Sequence, residues 1–305
     1  MNAPVSSIEG RIEIALALDA NGHCVPTITS TRPFNLPRTF VGKPAETVAA
    51  SVGLLFSLCG QAQRAASLGA LETAMGLSVA ERVLRTRAQA VRAEAIREAV
   101  LRSNPDFGSA VREVAQLAHR IAEAAKPAFA LGCENGTDLS GDLKALDDLA
   151  GPLMGVPTGM PSDHGIAELT PDSLADAGLL PDGLDDSGLA KTPTVHGAPR
   201  WTRGAIPSGG APLYPYRAGG RGWGIATVQT ARGLLTHAVR VSDRVVTAYR
   251  ITAPTEWNFH TKGIVAKALE TLPADTDWAA GARSIVDAID PCVEAHLRLE
   301  ESTHA

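Results

Sequence analysis

Between Pro44 and about Glu123 the chain carries one proline, Pro105, and is otherwise dominated by Ala, Leu, Arg and Glu. These residues favour helix, and proline inside a helix costs about 3 kcal/mol, so a stretch this long and this poor in proline commits to several consecutive helices. Leu84, Ala88, Val91 and Ala95 recur at helical spacing and predict one core-facing side. Arg82, Arg85, Arg92 and Arg97 lie mostly elsewhere, mixed with Glu81, Glu94 and Glu98, and read as a solvated face with no assigned function.

The flanking segments follow other patterns. Ile12, Ile14, Leu16 and Leu18 alternate along one strand, Asn21-Gly22 supplies a two-residue hairpin turn, and Val25 to Thr31 returns. From about Ala150 to Gly222 proline, glycine and aspartate dominate, which predicts long irregular connections. The glycine run at Gly219, Gly220, Gly222 and Gly224 lacks the dinucleotide spacing and the Lys-Ser/Thr ending of a phosphate cradle, and reads as a loop. Ile225 to Gln229, Leu235 to Val241 and Val245 to Ile251 predict an antiparallel meander with a Ser242-Asp243 turn. Two helical stretches, about Lys262 to Leu272 and Trp278 to Ile289, lead to a bend at Asp290-Pro291-Cys292, since proline disfavours helix in the residue before it.

The expected fold is α+β and forms a single domain over residues 1–305: an N-terminal hairpin (1–43), a helical bundle carrying Cys59 (44–150), an irregular segment (151–222), and a sheet with C-terminal helices (223–305). The hairpin and the meander are expected to share one small, mostly antiparallel sheet.

With 45% hydrophobic residues in 305, the chain can bury a substantial core. Its formal net charge of -5 gives no electrostatic basis for binding nucleic acid or anionic lipid, which need concentrated positive charge. Met1 to Gly10 has no basic segment leading into an apolar run, and no stretch approaches the roughly 20 apolar residues of a membrane helix, so a cytoplasmic location is expected. Cys24, Cys59, Cys133 and Cys292 are too sparse for a disulfide-stapled domain and read as free thiols or metal thiolates. Asp163-His164 has neither a Gly-x-Ser-x-Gly elbow nor a His-Glu-x-x-His helix to accompany it, and His196 also falls in the irregular segment.

Several segments, in order, resemble the large subunit of nickel-iron hydrogenases. Ile8-Glu9-Gly10-Arg11-Ile12-Glu13 resembles that family's Glu-Gly-His strand, and Leu58-Cys59-Gly60 its first motif, Arg-x-Cys-Gly-x-Cys. Gln229-Thr230-Ala231-Arg232-Gly233, with His237 four residues beyond Gly233, resembles Glu-Ala-Pro-Arg-Gly and its histidine. Pro254-Thr255-Glu256-Trp257-Asn258 resembles Pro-Thr-Thr-Trp-Asn, and Asp290-Pro291-Cys292 the closing Asp-Pro-Cys-x-x-Cys. Between about Gly76 and Gly222 the likeness lapses.

The departures bear directly on function. In the resembled family four thiolates hold nickel and iron, two of them bridging; here the bridging positions hold Ala62 and Ala295. Methyl groups cannot share soft donation between two metals, so hydrogen activation at a binuclear centre is not expected, nor is nickel. Ser57, Ala66 and Arg11 replace an arginine and two histidines of the motifs, and Gln229 and Ala231 alter the arginine segment.

The resemblance therefore implies a protein of the HupK/HoxV type of hydrogenase maturation proteins: no enzyme, but a scaffold that transiently holds an Fe(CN)2CO fragment. It implies Cys59 and Cys292 as the metal thiolates, with Arg232, Pro254, Thr255, Glu9 and Asp290 around the fragment. Arg232 would supply a charged fork, Thr255 a hydroxyl for a cyanide nitrogen, and Asp290 the orientation of Arg232, while Glu9 would lie near Cys292. Cys24 and Cys133 match no ligand position and read as structural. The implied partners are HypC-type and HypD-type chaperones and the immature hydrogenase large subunit. Two other functions stay open: an interaction module that mimics the large subunit without binding metal, and a divergent catalytic large subunit. The scaffold requires two sulfurs from opposite ends of the chain to meet within reach of one metal, at about 2.3 Å per bond.

Overall fold

In the computed structural model the described residues are 10–19, 23–32, 36–56, 58–154, 212–214, 216–220, 222–261, 263–272 and 277–300. The proline-poor stretch forms α1 (Ala45–Ser51), α2 (Gly60–Ala74), α3 (Glu81–Ser103) and α4 (Ser109–Ala125), followed by α5 (Ser140–Ala150). Of these, α2 is the central helix: Ala62, Ala65, Ala66, Leu68, Ala70 and Leu71 are all fully buried, on every side of it. A helix apolar all round must be enclosed, and α2 is covered by α3 on one flank and by a sheet on another.

That sheet has the order β3-β4-β5-β6, from Tyr216–Gly220, Trp223–Thr230, Gly233–Ser242 and Val245–Thr252, antiparallel throughout. Glycine lets α2 lie almost on its backbone. A Cβ added at Gly224 would stand 2.1 Å from the Ala70 carbonyl oxygen, so no side chain fits between strand and helix. Gly219, Gly220 and Gly224 are thus strand rather than the loop expected from composition, while Gly222 lies in the turn between β3 and β4. The β5–β6 turn is Asp243-Arg244, one residue beyond the expected Ser242-Asp243, with φ of 50° and 63°. Positive φ at both central residues matches the twist of the flanking strands.

One expectation is overturned. The N-terminal hairpin, β1 (Arg11–Leu18) and β2 (Cys24–Ser30), does not join the meander; it forms a separate sheet of order β2-β1-β7. β7 (Glu294–Leu299) runs parallel to β1, with Ile12 opposite Ala295 and Leu16 opposite Leu299. Ile12, Ile14 and Leu16 are buried against α7 (Ile264–Glu270) and α8 (Trp278–Ile289), in a second core with Val265, Leu269, Ile285 and Ile289. A hairpin with one apolar face needs a cover and a neighbour for its free edge, and the chain's last helices and last strand provide both. Between the sheets the short α6 (Pro254–Asn258) follows β6 directly. Most of the segment read as irregular, His164 and His196 included, falls outside the described residues. Among the described residues no helix is long and apolar enough to cross a membrane.

One buried charge pair locks the bundle. Arg87 of α3 is fully buried and grips the Glu72 carboxylate of α2 through both terminal nitrogens, at 2.9 and 2.8 Å, while donating to the carbonyls of Ala128 at 2.7 Å and Ala130 at 3.2 Å. Removing one partner leaves an uncompensated charge in the core. Glu72→Ala should therefore lower the unfolding free energy by about 3–5 kcal/mol in urea titrations. A loss under about 1 kcal/mol, the size of a surface pair, would contradict this account.

Candidate functional site

Cys59 stands at the N-cap of α2, and its carbonyl accepts the Gln63 amide at 2.9 Å. The first amides of a helix need acceptors, and here Glu94 of α3 supplies them: its carboxylate takes the N–H groups of Gln61 at 2.7 Å and Ala62 at 3.1 Å. This leaves the sulfur of Cys59 out of the capping interaction.

Cys292 arrives from the other end of the chain. Helix α8 is capped at its start by the Asp277 side chain, which accepts from the Ala280 amide, and ends at Asp290 in the left-handed conformation. Pro291 follows, so the backbone turns sharply before Cys292. The Cys292 amide donates to Thr255 Oγ1 at 3.2 Å, and the same hydroxyl lies 3.1 Å from Cys292 Sγ, where either group can donate. Thr255 is held in the first turn of α6, which Pro254 opens.

The third part of the site is Arg232, in the β4–β5 turn and 5% exposed. Its Nε donates to the Asp290 carbonyl at 3.0 Å, and Nη2 contacts Asp290 Oδ2 at 3.1 Å and Glu98 Oε2 at 3.3 Å. Arg97 holds the other oxygen of Glu98 at 2.7 Å, and Arg102 the other oxygen of Asp290 at 2.5 Å. Three guanidiniums thus face the carboxylates of Asp290 and Glu98, and Glu94 adds a third carboxylate on the Cys59 side.

Burial works against the charge of Arg232, but Asp290, Glu98, Cys292 and Cys59 together hold it more firmly protonated than usual. Burial also pushes the Cys59 thiol up to about 12, with Glu94 and Cys292 adding to the shift and Gln63 and Arg232 opposing it. The two cysteines therefore sense each other and the same guanidinium, and metal binding at Cys59 must displace a proton. All four cysteines are free thiols; Cys24 is buried in the second core, and Cys133 accepts the Asn135 amide at 3.3 Å.

The structure brings Cys59, Cys292, Arg232, Thr255 and Asp290 together, with Pro254 setting the position of Thr255. Glu9 lies outside the described residues. Ala62 is fully buried in the first core, and Ala295 packs on the second. Both positions are occupied by apolar packing. Among the described residues no group of three or more His, Cys, Asp or Glu side chains is placed to hold a metal ion.

The solvated face expected on α3 holds for its first turns, where Glu81, Arg82 and Arg85 are exposed, and is corrected further along. Glu98 is 5% exposed and ion-paired to Arg232, Glu94 caps α2, and Arg92 pairs with Asp147 at 2.6 Å. Past its first turns α3 is packed among α2, α4 and α5. The overlooked signal was the four-residue spacing of Glu94 and Glu98, which puts both carboxylates on one side of the helix. Gln63 was also overlooked; its amide N–H donates to Cys59 Sγ at 3.6 Å.

No family model matches the chain. It is 29% identical to the hydrogenase expression/formation protein HupV of Azotobacter chroococcum, over 95% of this chain and 98% of that one. It is 28% identical to the hydrogenase expression/formation protein HupK of Bradyrhizobium diazoefficiens, over 98% and 100%. Identity rises to 48% with the hydrogenase expression/formation protein HoxV of Cupriavidus necator, over a shorter span covering 27% of this chain and 23% of that protein. In structure it resembles the reduced nickel-iron-selenium hydrogenase of Desulfovibrio vulgaris Hildenborough, with a TM-score of 0.53 over 90% of this chain and 94% of that one. At 14% identity this likeness establishes the α+β large-subunit fold and nothing further.

Glu94 generates a pH prediction. Burial raises its carboxyl from the usual 4.5 to about 7, against the two amides and Arg97 that lower it. Below about 4.5 it is protonated in both folded and unfolded chains; from there to about 7 the unfolded chain ionises first, and stability is lost as pH rises. The thermal midpoint of the native protein should therefore fall relative to Glu94→Gln across that window, and a constant difference between the two would refute the assignment.

Proposed function

The chain is related along nearly its whole length to the hydrogenase expression/formation proteins HupV and HupK and has the fold of nickel-iron hydrogenase large subunits, and from this we propose that it is a non-catalytic accessory scaffold that transiently holds an Fe(CN)2CO fragment during assembly of a hydrogenase active site. The observation that carries the reading is the meeting of Cys59 and Cys292, from opposite ends of the chain, at the buried Arg232 guanidinium.

Two thiolates suit an iron(II) that arrives with three ligands of its own. Two cyanides and two thiolates against iron(II) leave a double negative charge, and the buried Arg232 guanidinium offsets part of it. Thr255, whose hydroxyl already reaches Cys292 Sγ, is the near donor for that sulfur or for a cyanide nitrogen. Ala62 and Ala295 bring no bridging sulfur, which argues against a second metal and against hydrogen activation. A cargo held by two protein donors leaves by ligand exchange more readily than one held by four.

The partners of this role are HypC-type and HypD-type chaperones that deliver the fragment and the immature large subunit that receives it, all in the cytoplasm. A rival role, an interaction module that occupies those partners without metal, draws on the same fold and on a Cys59 that rests as a protonated thiol.

Protein purified anaerobically from cells that contain the maturation machinery should show cyanide and carbonyl stretching bands in the infrared. Cys59→Ser and Cys292→Ser should each abolish them. If the native protein shows no such bands while partner binding survives loss of both cysteines, the module is the correct role and the scaffold is not.

A further inference from the structure

Away from the cysteines, two guanidiniums meet one carboxylate at the seam between the two sheets. Arg32 follows β2 by two residues, Arg250 lies in β6, and Glu256 lies in α6, which comes directly after β6. Tyr249 reaches Ser67 of α2 from one face of the meander, so Arg250, its neighbour along the strand, points from the other face. Glu256 Oε1 stands 3.8 Å from Arg32 Nη1, and the two side chains are 12% and 11% exposed. That distance makes an ion pair but is too long for a hydrogen bond. Burial raises the Glu256 carboxyl above its usual value, against Arg32, Arg250 and the Ala253 amide, which donates to Oε2 at 3.4 Å. Both guanidiniums therefore face the same carboxylate.

Among the described residues, the buried Nε and Nη1 of Arg32 and the buried Nε of Arg250 meet no hydrogen-bond acceptor. Buried donors are normally met, and a guanidinium cannot relieve the cost by giving up its proton. Arg64 also has a buried Nε without an acceptor, but its guanidinium lies over the Phe129 ring, 5.5 Å from the centroid, and the ring face stabilises the charge. Arg32 and Arg250 instead present three unmet N–H groups around a single acid.

We propose that Arg32 and Arg250 form a binding site for a small oxyanion, phosphate or carboxylate, which accepts these N–H groups beside Glu256. Guanidiniums suit such oxygens because their donors combine charge with fixed direction. The anion joins the end of β2 to β6 and α6, three segments far apart in the chain. Glu256 directly follows Thr255, whose hydroxyl lies 3.1 Å from Cys292 Sγ, so the anion braces the short helix that carries Thr255 without entering the cysteine site. Glu256 opposes the ligand as a like charge and limits its affinity. The site does not depend on the scaffold reading.

The full-length protein, in chloride buffer at neutral pH and fixed ionic strength, is titrated with inorganic phosphate and separately with acetate, with calorimetry and the thermal midpoint as readouts. One of the two should bind saturably and raise the midpoint, and which one does so identifies the ligand as phosphate or carboxylate. Arg32→Gln and Arg250→Gln should each weaken that binding roughly 10-fold or more. Glu256→Gln should tighten it by about the same factor, because the like charge is removed. A carboxylate that served only to hold the arginines in place would give no such gain. Should one arginine variant fail to fold, the other decides together with Glu256→Gln. If neither anion binds saturably, or if binding is the same in the native protein and all three variants, so that it is an adventitious ion only, the inference is overturned.

Discussion

The guanidinium of Arg232 sits at the junction of three parts of the chain. It hangs from a strand turn of the meander, and it is held by the end of α8 through both the backbone and side chain of Asp290 and by α3 through Glu98. Charge buried at 5% exposure is expensive unless paired on several sides, and here the pairing comes from elements with no other reason to meet at one point. The bundle, the meander and the C-terminal segment are thereby brought into a single register. Cys59 and Cys292 are carried along, because one begins the helix that Glu94 of α3 caps and the other follows Asp290 by two residues.

The same arrangement explains why the site is crowded with paired charge and yet tightly packed. Arg97 and Arg102 stand behind the two carboxylates and lend charge without entering the site. Two apolar cores close around it, one taking Ala62 and the other Ala295. A cysteine at position 62 would have to find room in close-packed interior, where added volume costs stability, whereas Ala295 is only partly buried. At position 62 the loss of a bridging sulfur is therefore a packing fact as well as a chemical one.

Glu94 shows how fold and site share a group. Its carboxylate satisfies the open end of α2, which is a structural task, yet it also raises the thiol of Cys59, which is a chemical one. His237 has a similar double life, packed in the core beside Tyr249 while its partner Gln63 touches the sulfur.

Much of this was legible in the residues themselves. Proline scarcity marked the helices, alternation marked the first hairpin and the meander, and the Asp290-Pro291-Cys292 bend was placed correctly, because helix propensity, strand period and proline sterics are local. β7 was not among the expected strands, and because a strand's partner lies far off in the chain, its pairing with β1 and the split into two sheets emerged only with the fold. Likewise the residue types of the site could be read one by one, whereas the burial of Glu94, Glu98 and Gln63 could not. Whether a charged or amide side chain faces water or a buried partner depends on what packs over its helix, and that is settled by contacts between segments more than thirty residues apart.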